Sequence, residues 1–302
     1  MKDQNYHIPV LHREVITGLG IRANGIYVDC TFGGGGHARS ILEKLDENGR
    51  LIAFDQDEDA IKNLPTDSRI IFIPQNFRYL QRFLKLHNIS EVDGVLADLG
   101  VSSHQFDKAE RGFSTRFEAD LDMRMDQRQT LTAFDVVATY SELQLHKIFE
   151  QFGEVTNAKT LAKTIVEVRE TSSMKTTEAF KNALRGVVKG NPKKYFAQVF
   201  QALRIEVNDE MGALKELLQQ IPDLLKSNGR VAFITFHSLE DRLVKNFFRR
   251  GTFEEIEDNP FVMTKKMNVL KAITKKPIEA TEKEKMENSR SRSAKLRIAE
   301  KI

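Results

Sequence analysis

Hydrophobic positions follow two rhythms along the chain. Short apolar runs at residues 26–28, 51–55, 69–73, 92–99 and 230–236 have the length of buried strands. Between them the apolar residues recur at helical spacing. Leu11, Val15, Ile16 and Leu19 share one face, with Gly20 as a stop. Ala38, Ile41, Leu42 and Leu45 share another, in a helix that starts near His37 and is closed by Asn48-Gly49. Residues 57–64 read as a helix ended by Pro65, and Leu80, Phe83, Leu84 and His87 mark a further one. Strands this short and apolar, alternating with helices, predict an α/β fold with a parallel sheet covered on both faces.

After residue 107 the rhythm changes. Residues 108–128 are polar and charged, and a long helical stretch follows through Phe134, Val137, Leu143, Leu145, Ile148 and Phe149, then 161–168 and 180–188. No strand candidate occurs between about 108 and 195, so this part reads as a helical insertion, ended by Gly190-Asn191-Pro192. The α/β rhythm then resumes with Met211, Leu214, Leu217, Leu218, Ile221 and Leu225 on one helical face, where Pro222 should bend the helix and Asn228-Gly229 end it. Ser238 with Asp241 matches a capping box, and 268–273 and 296–299 are candidate closing strands. The expected organisation is a first sheet part over 1–107, a helical insertion over 108–195, and a second sheet part with a basic tail over 196–302.

A chain of 302 residues with 40% hydrophobic and 29% charged content is that of a soluble globular protein. It has no apolar run of membrane-spanning length, and Met1-Lys2-Asp3-Gln4-Asn5 does not open a signal peptide. The single cysteine, Cys30, falls in the first strand, so a reducing, cytoplasmic location is the default. The net charge is only +3, but residues 242–302 hold 16 Lys and Arg against 9 Asp and Glu. That asymmetry favours a polyanionic partner on one face; a solvated tail is the competing reading. Seven scattered histidines show no metal-ligand spacing, so no metal is expected.

Candidate chemistry sits where the first strand meets the first long helix. Val28-Asp29-Cys30-Thr31-Phe32 leads into Gly33-Gly34-Gly35-Gly36-His37-Ala38, which lets backbone N–H groups approach a ligand. A flexible loop is the plain alternative. In parallel sheets ligands bind at the carboxyl ends of the strands, and Asp29, Asp55 and Asp98 all fall at or near such ends. The glycines fit G-x-G-x-x-A, and Asp55 follows at the spacing of a ribose acceptor. Both NAD and S-adenosylmethionine present that ribose, so this pair alone does not separate a dehydrogenase from a methyltransferase. The polar run Asp98-Leu99-Gly100-Val101-Ser102-Ser103 after the fourth strand suits a methyl acceptor, and the basic tail suits nucleic acid. A nicotinamide dehydrogenase and a non-catalytic RNA-binding protein remain the alternatives.

The chain resembles the ribosomal RNA small-subunit methyltransferase H family over essentially its whole length. The resemblance is carried by His7-x-Pro9-Val10-Leu11, Asp29-x-Thr31-Phe32-Gly33-x-Gly35-Gly36-His37, Asp98 to Ser103, Glu110-Arg111-Gly112-Phe113-Ser114 and Leu121-Asp122-Met123-Arg124-Met125-Asp126. Phe200-Gln201-Ala202-Leu203-Arg204-Ile205, Phe236-His237-Ser238-Leu239-Glu240-Asp241-Arg242 and Ser291-Arg292-Ser293-Ala294-Lys295-Leu296-Arg297 complete it. It implies a class I, Rossmann-like S-adenosylmethionine-dependent methyltransferase sheet with an inserted helical domain. It also implies methylation of the N4 amine of a cytidine in the decoding region of 16S rRNA. Cofactor contacts carry over onto Gly35, Gly36, His37, Asp55, Phe77, Asp98 and Gln105. Asp98, Ser102 and Ser103 are the candidates for orienting the amine, and His237 for touching RNA or capping its helix. The expected partner is 16S rRNA, within the small ribosomal subunit; a homodimer is left open and a membrane is not expected. Two stretches depart from the family pattern: Ala119-Asp120 replaces Gly-Pro, and Phe196-Ala197-Gln198 replaces Ala-Thr-Arg, removing one presumed RNA contact.

Overall fold

A computed structural model describes residues 9–102, 105–106, 108–253 and 268–302. They form two compact units: one built from residues up to Gly100 and from Gly212 onward, the other from Val101–Met211. No helix among the described residues is long and apolar enough to cross a membrane.

The first unit is the predicted α/β part. Its strands are β1 (Ile26–Asp29), β2 (Arg50–Phe54), β3 (Ile70–Ile73), β4 (Val92–Asp98), β5 (Leu225–Thr235), β6 (Leu270–Ala272), β7 (Ile278–Glu279) and β8 (Lys295–Lys301). They run in the order β3-β2-β1-β4-β5-β8-β6, with β7 paired to β8. The strands β1 to β5 pair in parallel, whereas β8 is antiparallel to both β5 and β6. Successive residues of a strand face opposite sides, and both sides are covered. Val28, Ile52, Val231 and Phe233 pack with Leu80 and Leu84 of α3 (Leu80–Leu86) and with Leu214, Leu217, Leu218 and Ile221. Tyr27, Leu51, Ala53, Ala232 and Ile234 pack instead with α1 (His12–Leu19) and α2 (Gly36–Leu42).

The expected elements are present, with local differences. The second helix stops at Leu42 rather than at Asn48-Gly49, although Leu45 stays buried. Residues 57–64 make a 3₁₀ helix, Glu58–Asn63, because the Asp57 carboxylate caps Asp59 N–H and tightens the turn. The capping box of α10 (Ser238–Arg250) lies one residue earlier than predicted. His237 is the cap, and Glu240 reaches back to the N–H groups of Phe236 and His237. Asp241 is thereby free for a bidentate bond from Arg297 of β8, at 2.6 and 3.0 Å.

The second unit is helical: α4 (Ala133–Thr139), α5 (Glu142–Gln151), α6 (Ala158–Arg169), α7 (Thr177–Ala183) and α8 (Pro192–Asn208). α9 (Glu210–Leu224) follows, carrying Pro222 within its last turn. Reciprocal capping boxes start α4 (Thr132 with Asp135) and α5 (Ser141 with Gln144). The unit extends beyond 108–195 because Gly190-Asn191-Pro192 starts a helix instead of ending one. Asn191 caps the N–H groups of Lys193 and Lys194, and Pro192 takes the first helical position, where no N–H is needed. α8 then buries Phe196, Val199, Phe200 and Leu203 in the helical core with Leu145, Phe149, Leu161 and Phe180. Gln198, where the family pattern has arginine, donates to the carbonyl of Glu154.

Three motif blocks of the sequence meet inside this unit. Arg111, nearly buried, donates to the carbonyls of Arg124 and Met125, and its own carbonyl accepts from Met123 N–H. Asn208, one turn past Arg204, donates to the carbonyls of Met123 and Arg204 and accepts from Met125 N–H. These blocks hold the segment in place. At Ala119-Asp120, the Ala119 carbonyl accepts from Thr177 N–H, and Asp120 forms a bridge with Thr176.

Candidate active site

The glycine turn is tied to the strand ends on either side of it. Gly33, at φ +48°, points its N–H at the Asp55 carboxylate, 2.7 Å away. The other Asp55 oxygen accepts from Asp57 N–H at 2.9 Å. Arg39 and Asn63 brace the turn from outside by donating to the carbonyls of Gly34 and Gly33. Gly35, at φ +72°, and Gly36 admit no side chain: a Cβ would meet Phe32 at 2.8 Å or Pro9 at 2.4 Å. A Cβ on Gly34 would meet nothing within 4 Å, so that position opens outward. Gly33 shapes the turn by binding Asp55.

The three strand-end carboxyls are electrostatically unusual. Burial raises Asp29 to about 7, with the charges of Asp98 and Asp55 adding to the shift. Burial likewise lifts Asp55 to about 6, against the two backbone N–H bonds it accepts. Asp98 is raised by burial to about 7, opposed by the charge of Arg290 and helped by Glu240. Its backbone N–H donates to Thr31 Oγ1 at 2.7 Å, which fastens the end of β4 to the end of β1. Thr31 was not singled out in the sequence, although its place between Asp29 and the glycines was the available signal.

His37 lies in the first turn of α2, 6% exposed. Neither ring nitrogen closes a hydrogen bond, although the Val10 carbonyl approaches the ring. Burial, then the neighbouring His12, lowers its pKa to about 3, so the ring is neutral at pH 7. The His12 ring stacks on it at 6.0 Å and is itself within 2.5 Å of Ser40 Oγ. Nε2 of His37 stands 3.8 Å from Oδ2 of Asp98; with the imidazole neutral, this is a polar contact and not a salt bridge. Oδ1 of Asp98 is buried without a partner. Two nitrogens of His37 and one oxygen of Asp98 are thus buried polar atoms that a polar ligand would satisfy.

The remaining sequence candidates are placed less directly. Phe77 is half-buried at the start of a 3₁₀ turn, Phe77–Tyr79, and packs against the core on the α3 side of the sheet. Its loop is tied to that of Asp55 by Asn76 donating to Gln56 at 2.8 Å. Gln105 and Ser102 belong to the helical unit and cap each other. Ser102 N–H donates to the Gln105 amide oxygen, and Gln105 N–H donates to the Ser102 hydroxyl. That capping engages both groups that the sequence suggested for ligand contact. Ser103 and His7 lie outside the described residues. His237 serves as the helix cap described above.

The family model of the MraW methylase family matches residues 4–302. The chain belongs to that family. A protein of Flavobacterium johnsoniae named ribosomal RNA small subunit methyltransferase H is 51% identical over 298 residues, covering 98% of each chain. A protein of the same name from Bacteroides thetaiotaomicron is 50% identical over 302 residues, covering 99% of each. Membership in the MraW methylase family removes the dehydrogenase and non-catalytic readings. The fold is accordingly a class I methyltransferase sheet, and the methyl donor is S-adenosylmethionine. The residues present fit it: acceptors at Asp55 and Asp98, the orphaned His37 nitrogens, and the open face of Gly34.

Proposed function

We propose that this methylase acts on RNA of the small ribosomal subunit, and that its target is the N4 amine of a cytidine in the 16S decoding region. The rRNA substrate is supported by the names of its full-length relatives. The amine is supported by the chemistry of Asp98, which carries the reading: a half-buried carboxyl at the end of β4, one of whose oxygens is buried without a partner. Asp55 would accept hydrogen bonds from the donor's ribose, and the turn at Gly34 to Gly36 would receive its methionine end. When bound, S-adenosylmethionine supplies an electrophilic methyl group on a positively charged sulfur.

The N4 lone pair of cytosine is delocalised into the ring, so the amine must be turned out of conjugation to attack. Asp98 accepts a hydrogen bond from the amine and orients it. Ionised when the cationic donor is bound, its carboxylate takes the proton that nitrogen loses as the N–C bond forms. His37, neutral and with Nε2 3.8 Å from Oδ2 of Asp98, does not compete for that proton. The target base leaves its stack to reach such a pocket. In the cell, the carrying experiment is mass analysis of 16S rRNA from a deletion strain, with wild-type and Asp98→Ala complementation. Wild-type complementation should restore one methyl on cytidine N4 and Asp98→Ala should not. In vitro, thermal shift with S-adenosylmethionine, S-adenosylhomocysteine and NAD should show stabilisation by the first two; stabilisation by NAD alone refutes the proposal.

A further inference from the structure

The chain has 20 phenylalanines, and among the described residues only Phe106 and Phe117 are exposed. Both lie against the same cation. The guanidinium of Arg116 is 5.2 Å from the centre of the Phe106 ring and 5.3 Å from that of Phe117. Separations below about 6 Å mark a cation–π contact. Arg116 is oriented from below by Ser114, which is nearly buried and whose hydroxyl accepts from Arg116 N–H and Nε–H. Packing alone does not explain the group. The protein buries its other described phenylalanines wholly or partly, yet here two rings and an arginine form one exposed cluster within the helical unit.

We propose that Phe106, Arg116 and Phe117 form a stacking platform for an unpaired base of single-stranded RNA. The inference rests on the RNA-methyltransferase reading and deepens it. Aromatic faces and guanidinium planes are the surfaces on which splayed RNA bases stack, and every base offers a π face. The carboxylate of the exposed Glu118, next in the chain to Phe117, disfavours a phosphate there. The platform therefore takes the base and leaves the backbone to other basic groups, so its contribution should depend little on salt.

The chain has no tryptophan, so F117W creates a single reporter on the platform. In the full-length protein with donor present, titration with an unstructured oligoribonucleotide should quench that tryptophan, and the same sequence as a duplex should not. The F106L/F117L variant keeps apolar side chains but loses both π faces. It should bind the single strand about tenfold more weakly per ring lost, with melting temperature and donor affinity unchanged and with an unchanged salt slope. Binding seen by anisotropy without tryptophan quenching overturns the platform, and so does undiminished affinity of the leucine variant. Either result leaves the function intact if wild-type protein still methylates small-subunit rRNA; failure of that wild-type reaction overturns the function itself.

Discussion

Raising the pH from about 6 to about 8 is expected to tighten binding of S-adenosylmethionine, because the cationic donor meets an Asp98 carboxyl that must ionise to receive it. Burial places that carboxyl near 7 in the free protein, against 3.8 for an ordinary aspartate. About one Asp98 in ten is then ionised near pH 6. Each pH unit below 7 should weaken binding up to about tenfold, with a plateau above about pH 8. Calorimetry in buffers of different ionisation enthalpy should count close to one proton released near pH 6 and close to none near pH 8. Asp98→Asn should remove this proton, and the difference between the two proteins cancels any titration of the donor's own amino group. The same shift has an opposite consequence for folding. A carboxyl whose folded pKa is raised contributes stability that is fully present below about pH 4 and is lost as pH rises through about 7. The free Asp98→Asn protein should therefore be the more stable one near pH 8, by up to a few kcal/mol. Identical pH profiles of donor binding in the two proteins refute the reasoning.

Two other sites give sharp contrasts. Gly36→Ala places a Cβ 2.4 Å from Pro9 and should lower stability by about 1–3 kcal/mol in chemical denaturation. Gly34→Ala meets nothing within 4 Å and should fold with stability changed by about 0.5 kcal/mol or less. Its isothermal binding of donor should nonetheless weaken; unchanged affinity would mean that the open face of Gly34 is not part of the cradle. Thr31→Val removes the acceptor of Asp98 N–H and should destabilise the protein by about 1–2 kcal/mol. Its turnover should fall further than its donor affinity, because the acceptor base depends on where Asp98 stands; kcat and donor Kd measured on the same protein test this.

The sheet was legible because burial on both faces writes itself into a sequence as short apolar runs, and β1 to β5 lie where those runs are. Asp29, Asp55 and Asp98 could be picked out for the same reason: a carboxylate that ends an apolar run stands at a strand's exit. What pairing does at those exits was not legible. Nothing in the local pattern says that Asp55 binds Gly33 or that Thr31 receives Asp98, since these contacts join segments 22 and 67 residues apart. The start of α8 was misjudged because Gly-Asn-Pro serves equally to end one helix and to begin the next. The choice was made by the buried face of α8, with Phe196 and Phe200 in the helical core. The His237 cap was obscured in a similar way, because both pairs have the same three-residue spacing and serine is the more usual capping residue. Ser102 and Gln105, both candidates for ligand contact, also have the spacing of a reciprocal cap, and the structure makes that cap.

The bond from Gly33 to Asp55 bears on any attempt to redesign this enzyme for another donor. In nucleotide-binding sheets the acidic residue after the second strand is the usual handle for altering ribose preference, because it touches the ligand and little else. Here the same carboxylate also holds the glycine loop, the proposed seat of the donor's opposite end. Replacing Asp55 to favour an analogue with a modified ribose would release Gly33 and let the loop change shape. Selectivity for the sugar and the form of the methionine pocket are thus mechanically joined. An engineer would have to supply a second acceptor for Gly33 N–H before the sugar specificity could be varied on its own.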